Sequence, residues 1–410
     1  MSINPYTPGA AHAPPHLAGR DAERQEFSRL LQQTRILKNL LLTGIRGIGK
    51  TVLLREVLKE DARKGGWLWV GGGDISEGVS VSENNLANRV LTDLSKFSGD
   101  WEYDSRARQD AGFTGESAQE SMRFDYETML ALFQREPGLT ADKMKRVLLV
   151  AWALMQKHMP EKRGIIFAWD EAQNLADQKG DKQYPLGVLL DVFSSLQSQG
   201  VPFMLALTGL PTLSPKLVES RTYTERMFRV VTLNNLNADD SHQAIMKPLN
   251  GAPEWIKGFF QQVCEDLYRQ TKGYPYFLQF WGRELYDYLV SNVGKPADER
   301  GQNVVRSITK KLDLDFFDGR WAKLTDRQRD LLRIIARLEN SSGEFSVQEI
   351  TNMSKKTEHA FSSSHINQML VSLFNKGMVF KTRHGKYVLA VPLLDVYIRR
   401  RMGEDHVGND

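Results

Sequence analysis

Asn39-Leu-Leu-Leu-Thr43 runs without a break into Gly44-Ile-Arg-Gly-Ile-Gly-Lys-Thr51 and then into the periodic segment Val52 to Leu58. The first stretch reads as a buried strand, the glycine-rich stretch as a loop and the last as a helix. Gly44 and Gly49 bracket four residues, and Gly47 adds a third flexible point, so backbone N–H groups can turn inward around the phosphates of a nucleotide. In such a loop Lys50 reaches the β and γ phosphates and Thr51 offers its hydroxyl to magnesium. The helix that starts at Lys50 aims the positive end of its dipole at the same anion. The strand before and the helix after raise the string above chance.

Outward from the loop, strands and helices alternate. Gly66-Trp-Leu-Trp-Val70 reads as a second strand, and Glu83 to Phe97 as a helix with Leu86, Val90, Leu91 and Leu94 on one face. A helix over Ala141 to Lys157, a strand over Gly164 to Trp169, a helix around Leu186 to Gln199 and a strand over Val201 to Thr208 follow. This alternation predicts an α/β fold with a parallel sheet. Between about 98 and 140 the pattern gives way to a polar insertion of unassigned role. Before the first helix, residues 2–18 are too rich in proline and glycine for regular structure and predict an extended arm. Asp21 is the expected cap of a helix carrying Phe27, Leu30 and Leu31.

At 410 residues the chain is too long for one ordinary core, so several domains are expected. No apolar run approaches the roughly 20 residues that span a bilayer, and the first residues lack a secretory pattern, so the expected location is cytoplasmic, without a membrane partner. The single cysteine, Cys264, excludes an intrachain disulfide and reads as a buried small hydrophobe. The eight histidines show no metal-ligand spacing, and the net charge of +4 permits an acidic partner without requiring one.

The strand Ile165 to Trp169 ends in Asp170-Glu171. In an open parallel sheet ligands sit at the carboxyl ends of the strands, which places these carboxylates beside the phosphate loop. Asp170 can then hold magnesium, and Glu171 can polarise the water that attacks the γ-phosphate. Thr208, at the end of the next strand, is either a γ-phosphate sensor or a turn residue before Pro211. Three arginines precede the strand that starts near Val230. Of these Arg226 is the first candidate, and Arg221 the second, for a cation inserted into a neighbouring subunit's site.

These pieces in this order resemble the AAA+/STAND side of the P-loop ATPases, and most closely bacterial relatives of the origin-recognition and cell-division-control initiators. Asn4-Pro-Tyr-Thr-Pro-Gly9 and Leu17-Ala-Gly-Arg-Asp-Ala-Glu23 look like that family's arm and G-R-x-x-E box, which implies that Gly19 and Arg20 lie near the adenine and ribose. Gly44-Ile45-Arg46-Gly47-Ile48-Gly49-Lys50-Thr51-Val52 matches the Walker A loop and its helix, and Ile165 to Glu171 the Walker B strand. Thr208 falls at the sensor 1 position, and Tyr223-Thr-Glu-Arg-Met-Phe228 resembles the arginine-finger stretch. Gly273-Tyr-Pro275 looks like the turn that opens the helical lid. Pro275 there supplies shape rather than the charge of a sensor 2 arginine, for which Arg283 is the nearest substitute. The aromatic residues around it, Tyr274, Tyr276, Phe277, Phe280 and Trp281, read as core packing. The resemblance implies ATP and Mg²⁺ as cofactors and a nucleotide-dependent homo-oligomer.

From Leu324 the spacing is helical, with Leu331, Leu332, Ile335 and Leu338 on one face, and Ser346 with Glu349 forms a capping box for a second helix. A third helix over Ser363 to Asn375 leads into a hairpin, the plan of a winged helix, which the resembling family also carries after its lid. Ser364, His365, Asn367 and Gln368 are available for base edges, and Lys355, Lys356, Arg383 and Lys386 for phosphates. The run Arg399-Arg-Arg401 reads as a solvated terminal charge cluster. The expected order is an arm over 1–20, a P-loop domain over 21–236, a lid over 237–320 and a winged helix over 321–402. The function expected is an ATP-binding and ATP-hydrolysing switch, slow and partner-stimulated, whose winged helix meets either double-stranded DNA or a protein partner in signalling or defence.

Overall fold

The computed structural model describes residues 3–9, 12–75, 82–104, 121–292, 301–357, 360–383 and 385–403. Its strands are β1 (Asn39–Thr43), β2 (Trp67–Asp74), β3 (Glu102–Asp104), β4 (Ser121–Arg123), β5 (Gly164–Asp170), β6 (Phe203–Gly209), β7 (Phe228–Thr232), β8 (Phe345–Ser346), β9 (Val379–Arg383) and β10 (Lys386–Leu389). Two compact units hold them. Residues Arg20–Gly44 with Lys50–Leu233 form a sheet unit, and Met1–Gly19, Ile45–Gly49 and Asn234–Asp410 form a helical unit.

The sheet unit is built on five parallel strands in the order β2-β5-β6-β1-β7. β1, β5 and β6 are buried along their whole length, which is why they read as continuous apolar runs rather than as alternations. Leu41, Phe167, Trp169 and Leu207 belong to the same core as the helices Glu83–Ser98, Thr140–His158 and Pro185–Ser198. Asp21 is the first residue of its helix rather than the cap, a place taken by Arg20. Of the expected insertion, the structure describes the short antiparallel pair β3–β4 and the helix Tyr126–Arg135; residues 105–120 lie outside the described residues.

One buried carboxylate ties a helix to the sheet. Asp93 accepts from Trp169 Nε1 at 3.0 Å, from Arg89 Nε at 3.0 Å and from Lys96 Nζ at 2.9 Å. Burial alone pushes its carboxyl up, but the bonds from Lys96 and Trp169 and the charge of Arg89 outweigh it and hold the group below the usual range. A depressed folded-state value means that the stabilisation is present above the ordinary carboxylate range and fades as pH falls through the folded value. Asp93→Ala strands the indole N–H in the core and is expected to cost about 1–3 kcal/mol in denaturant unfolding. The variant should also lose part of the wild type's acid sensitivity; equal stability of the two proteins at neutral pH would refute the assignment.

In the helical unit, Ala238–Met246, Glu254–Thr271 and Pro275–Ser291 pack on one another. The described part of the arm has no regular structure and is anchored by Tyr6. That ring is buried, stacks on Phe260 at 5.6 Å and donates its hydroxyl to the Ile245 carbonyl at 2.6 Å. Farther along lie the helices Asp326–Ala336, Val347–Ser354 and Ser363–Asn375 and a three-stranded antiparallel sheet ordered β8-β10-β9. The Ser346–Glu349 capping box forms: the serine N–H donates to the glutamate at 2.7 Å and its hydroxyl accepts the Glu349 N–H at 3.3 Å.

Candidate functional site

In the sheet unit, Asp170 ends β5 next to Thr208 near the end of β6, because register pairs Trp169 with Leu207. The Asp170 carboxylate is fully buried. It accepts the Thr51 hydroxyl on Oδ2, and the Thr208 hydroxyl and the Glu171 N–H, the latter at 2.8 Å, on Oδ1. Two segments distant in sequence therefore converge on one carboxylate. Lys50 is buried at the start of its helix and donates Nζ to the Gly44 carbonyl at 2.9 Å. Val52 continues that helix, which passes into a wider π-turn over Leu53–Leu58.

Glu171 stands directly after Asp170 with φ 52 and ψ 35. A left-handed backbone at a non-glycine residue costs roughly 1–3 kcal/mol and persists only where its surroundings enforce it. Thr51 and Asp170 supply a hydroxyl and a carboxylate, hard oxygen donors that suit Mg²⁺, which takes one or two protein groups and completes its shell with phosphates and water. Among the described residues no group of three His, Cys, Asp or Glu side chains can hold a metal without such help.

In the helical unit, Ile48 is buried while Arg46 and Gly47 are exposed. Gly47 has φ +76, and a Cβ there would meet the Tyr274 hydroxyl oxygen at 2.2 Å, so only glycine fits. Tyr274 donates that hydroxyl to the Arg46 carbonyl, and burial pushes its phenol well above the ordinary tyrosine value. Its ring does pack, as the aromatic spacing suggests, but it also grips the loop. Pro275 is the first residue of the helix Pro275–Ser291 and fixes the direction in which that helix leaves Tyr274. Gly19 abuts Asp240, while in the sheet unit Arg20 pairs with Glu23 at 3.3 Å.

Arg283, the expected substitute for a lid sensor, is 4.0 Å from Asp287 of its own helix. Arg320 instead lies close enough to the loop to feel Arg46. Its guanidinium sits over the Phe316 ring at 4.1 Å, and burial followed by the Arg46 charge lowers its pKa. Neither Tyr274 nor Arg320 carries a local motif, so their roles are not legible without the fold.

The two candidate arginines differ. Arg221 is bound by both oxygens of Asp191, at 2.8 and 2.6 Å, and Tyr223 donates to the same carboxylate at 2.8 Å. Arg226 is exposed, and its side chain lines a groove of about 660 Å³ with Arg35, Leu37, Gln197, Tyr223 and Met227. It precedes β7, at the amino end of the sheet, where Asn39 pairs with Phe228. Asp170 and Thr208 are at the carboxyl end, roughly 16 Å away for a five-residue strand.

Ser364, Asn367 and Gln368 are exposed on the helix Ser363–Asn375, with Asn367 Nδ2 donating to the Ser363 carbonyl at 2.9 Å. Lys386 lies 3.4 Å from Glu349, and the Arg383 side chain is outside the described residues. The run Arg399–Arg401 is not a free charge cluster. Arg399 pairs with Asp395 at 2.8 Å, Arg400 with Asp313 at 2.5 Å and Arg401 with Asp318 at 2.8 Å. Those partners are on the same helix or on the preceding segment 313–318, so the run fastens the C-terminal helix.

A strand–phosphate loop–helix followed by a carboxylate-terminated strand two places along the same sheet defines a P-loop nucleotide-binding site. Residues 16–218 match the family model of the AAA ATPase domain, so this part of the chain is an AAA+ P-loop ATPase domain. Residues 314–398 match a domain of unknown function (DUF8462). No curated protein matches the chain in sequence. Among solved structures, the fold is similar to the Walker-type ATPase PABY2304 of Pyrococcus abyssi, at 17% identity and TM-score 0.54, covering 93% of this chain and 96% of that one. It is also similar to the ORC2 protein of Aeropyrum pernix in its ADP form, at 14% identity and TM-score 0.51, covering 95% and 96%. Among the described residues no helix is long and apolar enough to cross a membrane.

Proposed function

We propose that this protein is an ATP-hydrolysing switch in which Asp170 organises Mg²⁺, Glu171 activates water and the C-terminal elements read out the nucleotide state. The observation that carries the reading is the buried Asp170 carboxylate shared by Thr51 and Thr208, with Glu171 next in sequence. Lys50 and the loop N–H groups bind the phosphates, and Thr208 senses the γ-phosphate. Thr51 and Asp170 would hold Mg²⁺, which when bound would neutralise charge on the phosphate oxygens. Glu171 accepts a proton from the water whose oxygen bonds to the γ-phosphorus. The bond from that phosphorus to the β–γ bridging oxygen breaks, leaving ADP and phosphate. The ORC2 protein similar in fold is an ADP form, which agrees with this use of the fold.

The readout is supported inside the helical unit. Tyr274, bonded to the Arg46 carbonyl, contacts Phe277 at 4.7 Å; Phe277 contacts Phe317 at 5.9 Å, and Phe317 stacks on Tyr397 at 4.8 Å. Rings thus run from the phosphate loop to the C-terminal helix. We read the three helices with β8, β9 and β10 as a winged helix, with Ser364, Asn367 and Gln368 facing base edges of duplex DNA and Arg383 and Lys386 toward phosphates. One observation favours the second reading, a protein partner in signalling or defence: the exposed face of the helix Ser363–Asn375 has no cation, and Lys386 is engaged by Glu349.

Steady-state ATP turnover with and without duplex DNA tests the proposal, using Lys50→Ala as the variant expected to lose nucleotide binding. We expect slow basal turnover that DNA raises in a salt-sensitive manner. Turnover indifferent to DNA would move the output to a protein partner, and wild-type turnover by Lys50→Ala would remove the ATPase reading itself.

A further inference from the structure

Gln173 is used at three points. It is buried, 6% exposed, in the single turn after Glu171. Its side-chain Nε2 donates to Glu171 Oε2, and its Oε1 accepts the Leu210 N–H at 3.0 Å. Its backbone carbonyl accepts Lys216 Nζ at 2.8 Å. Leu210 directly follows β6, two residues after Thr208. The amide therefore spans from the carboxylate after β5 to the strand end that carries the hydroxyl on Asp170. Space has been left for it: a Cβ on Gly209 would meet Gln173 Oε1 at 2.5 Å.

The chemistry of the side chain suits a base. A carboxylate that must accept a proton from water has to be held without being neutralised. An arginine or lysine in this position would pair with Glu171 and compete for it, whereas a neutral amide donates one N–H and leaves the other oxygen able to accept. The second end of the amide, fixed by a backbone N–H, sets where the first end points. The left-handed backbone of Glu171 is thus enforced from two sides, by its own N–H to Asp170 and by Gln173 on its carboxylate.

We infer that Gln173 is the positioning residue for Glu171, orienting its carboxylate for water activation and tying that orientation to the end of β6. This rests on the ATPase reading above and names a part of the site that no motif assigns. Gln173 does not touch substrate; it acts through Glu171, so it sets kcat and leaves ATP binding alone. It also links the strand end that senses the γ-phosphate to the group that attacks it: a shift of Leu210 moves the amide, and the amide moves the carboxylate.

The experiment measures kcat and KM for ATP in the full-length wild type, Gln173→Ala, Gln173→Glu, Glu171→Gln and the double variant Glu171→Gln/Gln173→Ala. Gln173→Glu keeps the size and the acceptor for Leu210 but loses the donor to Glu171. Both Gln173 variants are expected to lower kcat on the order of 10²-fold, the cost of misplacing a catalytic group by about an ångström, with KM unchanged. In the Glu171→Gln background the Gln173→Ala change should have no further effect, because the group it positions is already gone. Wild-type kcat in Gln173→Glu, or an equal loss from Gln173→Ala in both backgrounds, would overturn the inference and leave Gln173 a fold-stabilising residue. Should Gln173→Ala lose its cooperative melting transition, Gly209→Ala displaces the amide by its new methyl group, and the same fall in kcat is expected; an unchanged kcat there overturns the inference equally. The two readings fail separately. If Glu171→Gln turns over like the wild type, the assignment of Glu171 as the base falls and the inference with it; if Glu171→Gln is impaired and Gln173→Glu is not, the inference alone falls.

Discussion

Glu171→Gln is expected to bind ATP as the wild type does and to hydrolyse it about 10² to 10⁴ times more slowly, the span typical of losing a positioned general base. The substitution keeps size and exchanges an acceptor oxygen for an amide nitrogen, so the strained turn and the bond from Gln173 are the only local features at risk. Binding should survive because the groups assigned to phosphate and magnesium, Lys50, Thr51 and Asp170, are untouched; Lys50 and Thr51 are on the opening turn of the helix after the loop, and Asp170 is fixed by the Thr51 and Thr208 hydroxyls. Nucleotide affinity by fluorescence and turnover by phosphate release separate the two effects. Unchanged turnover would show that another group takes the proton. A parallel loss of binding would show that Glu171 holds the site together instead.

Arg226→Ala is expected to cut turnover by about 10³-fold or more, the usual scale for a finger arginine, with no change in ATP affinity. The physical reason is location. Arg226 stands at the amino end of β7, opposite the carboxyl ends that bear Asp170 and Thr208, so as a finger arginine it would serve the site of another subunit. Mixing supplies the decisive measurement. Arg226→Ala subunits keep a complete Asp170–Glu171 site, and Glu171→Gln subunits keep the arginine, so an equimolar mixture should recover activity that neither shows alone. Two inactive proteins that stay inactive together would exclude a shared site. Arg221→Ala should behave differently: its guanidinium is committed to Asp191, so the loss falls on local stability.

Much of the sheet and the phosphate chemistry is legible in the sequence because both are written locally. The run Asn39 to Leu58 holds strand, loop and helix in one continuous segment, and Ile165 to Glu171 holds the apolar strand with its terminal carboxylates. Buried parallel strands have no polar face to confuse the pattern. Capping at Ser346 needs only a partner three residues on, and it too is legible. Where a residue's meaning depends on a distant partner, the sequence is silent or misleading. Three consecutive arginines at 399–401 look solvated because the partners of two of them, Asp313 and Asp318, are more than eighty residues earlier.

The sequence by itself determined the class of chemistry: a glycine loop, a lysine, a threonine and two carboxylates in strand-and-helix context specify phosphate binding and hydrolysis, since these depend on short-range backbone geometry. Only the tertiary structure decided which side chains hold those groups in place. Tyr274 meets the Arg46 carbonyl across 228 residues, Gln173 reaches the Leu210 N–H across 37, and Arg221 is separated from Arg226 in role by an Asp191 thirty residues away. Such pairings arise when strand order and helix packing bring remote backbone together. No periodicity records them, because the free energy that selects them belongs to the folded whole.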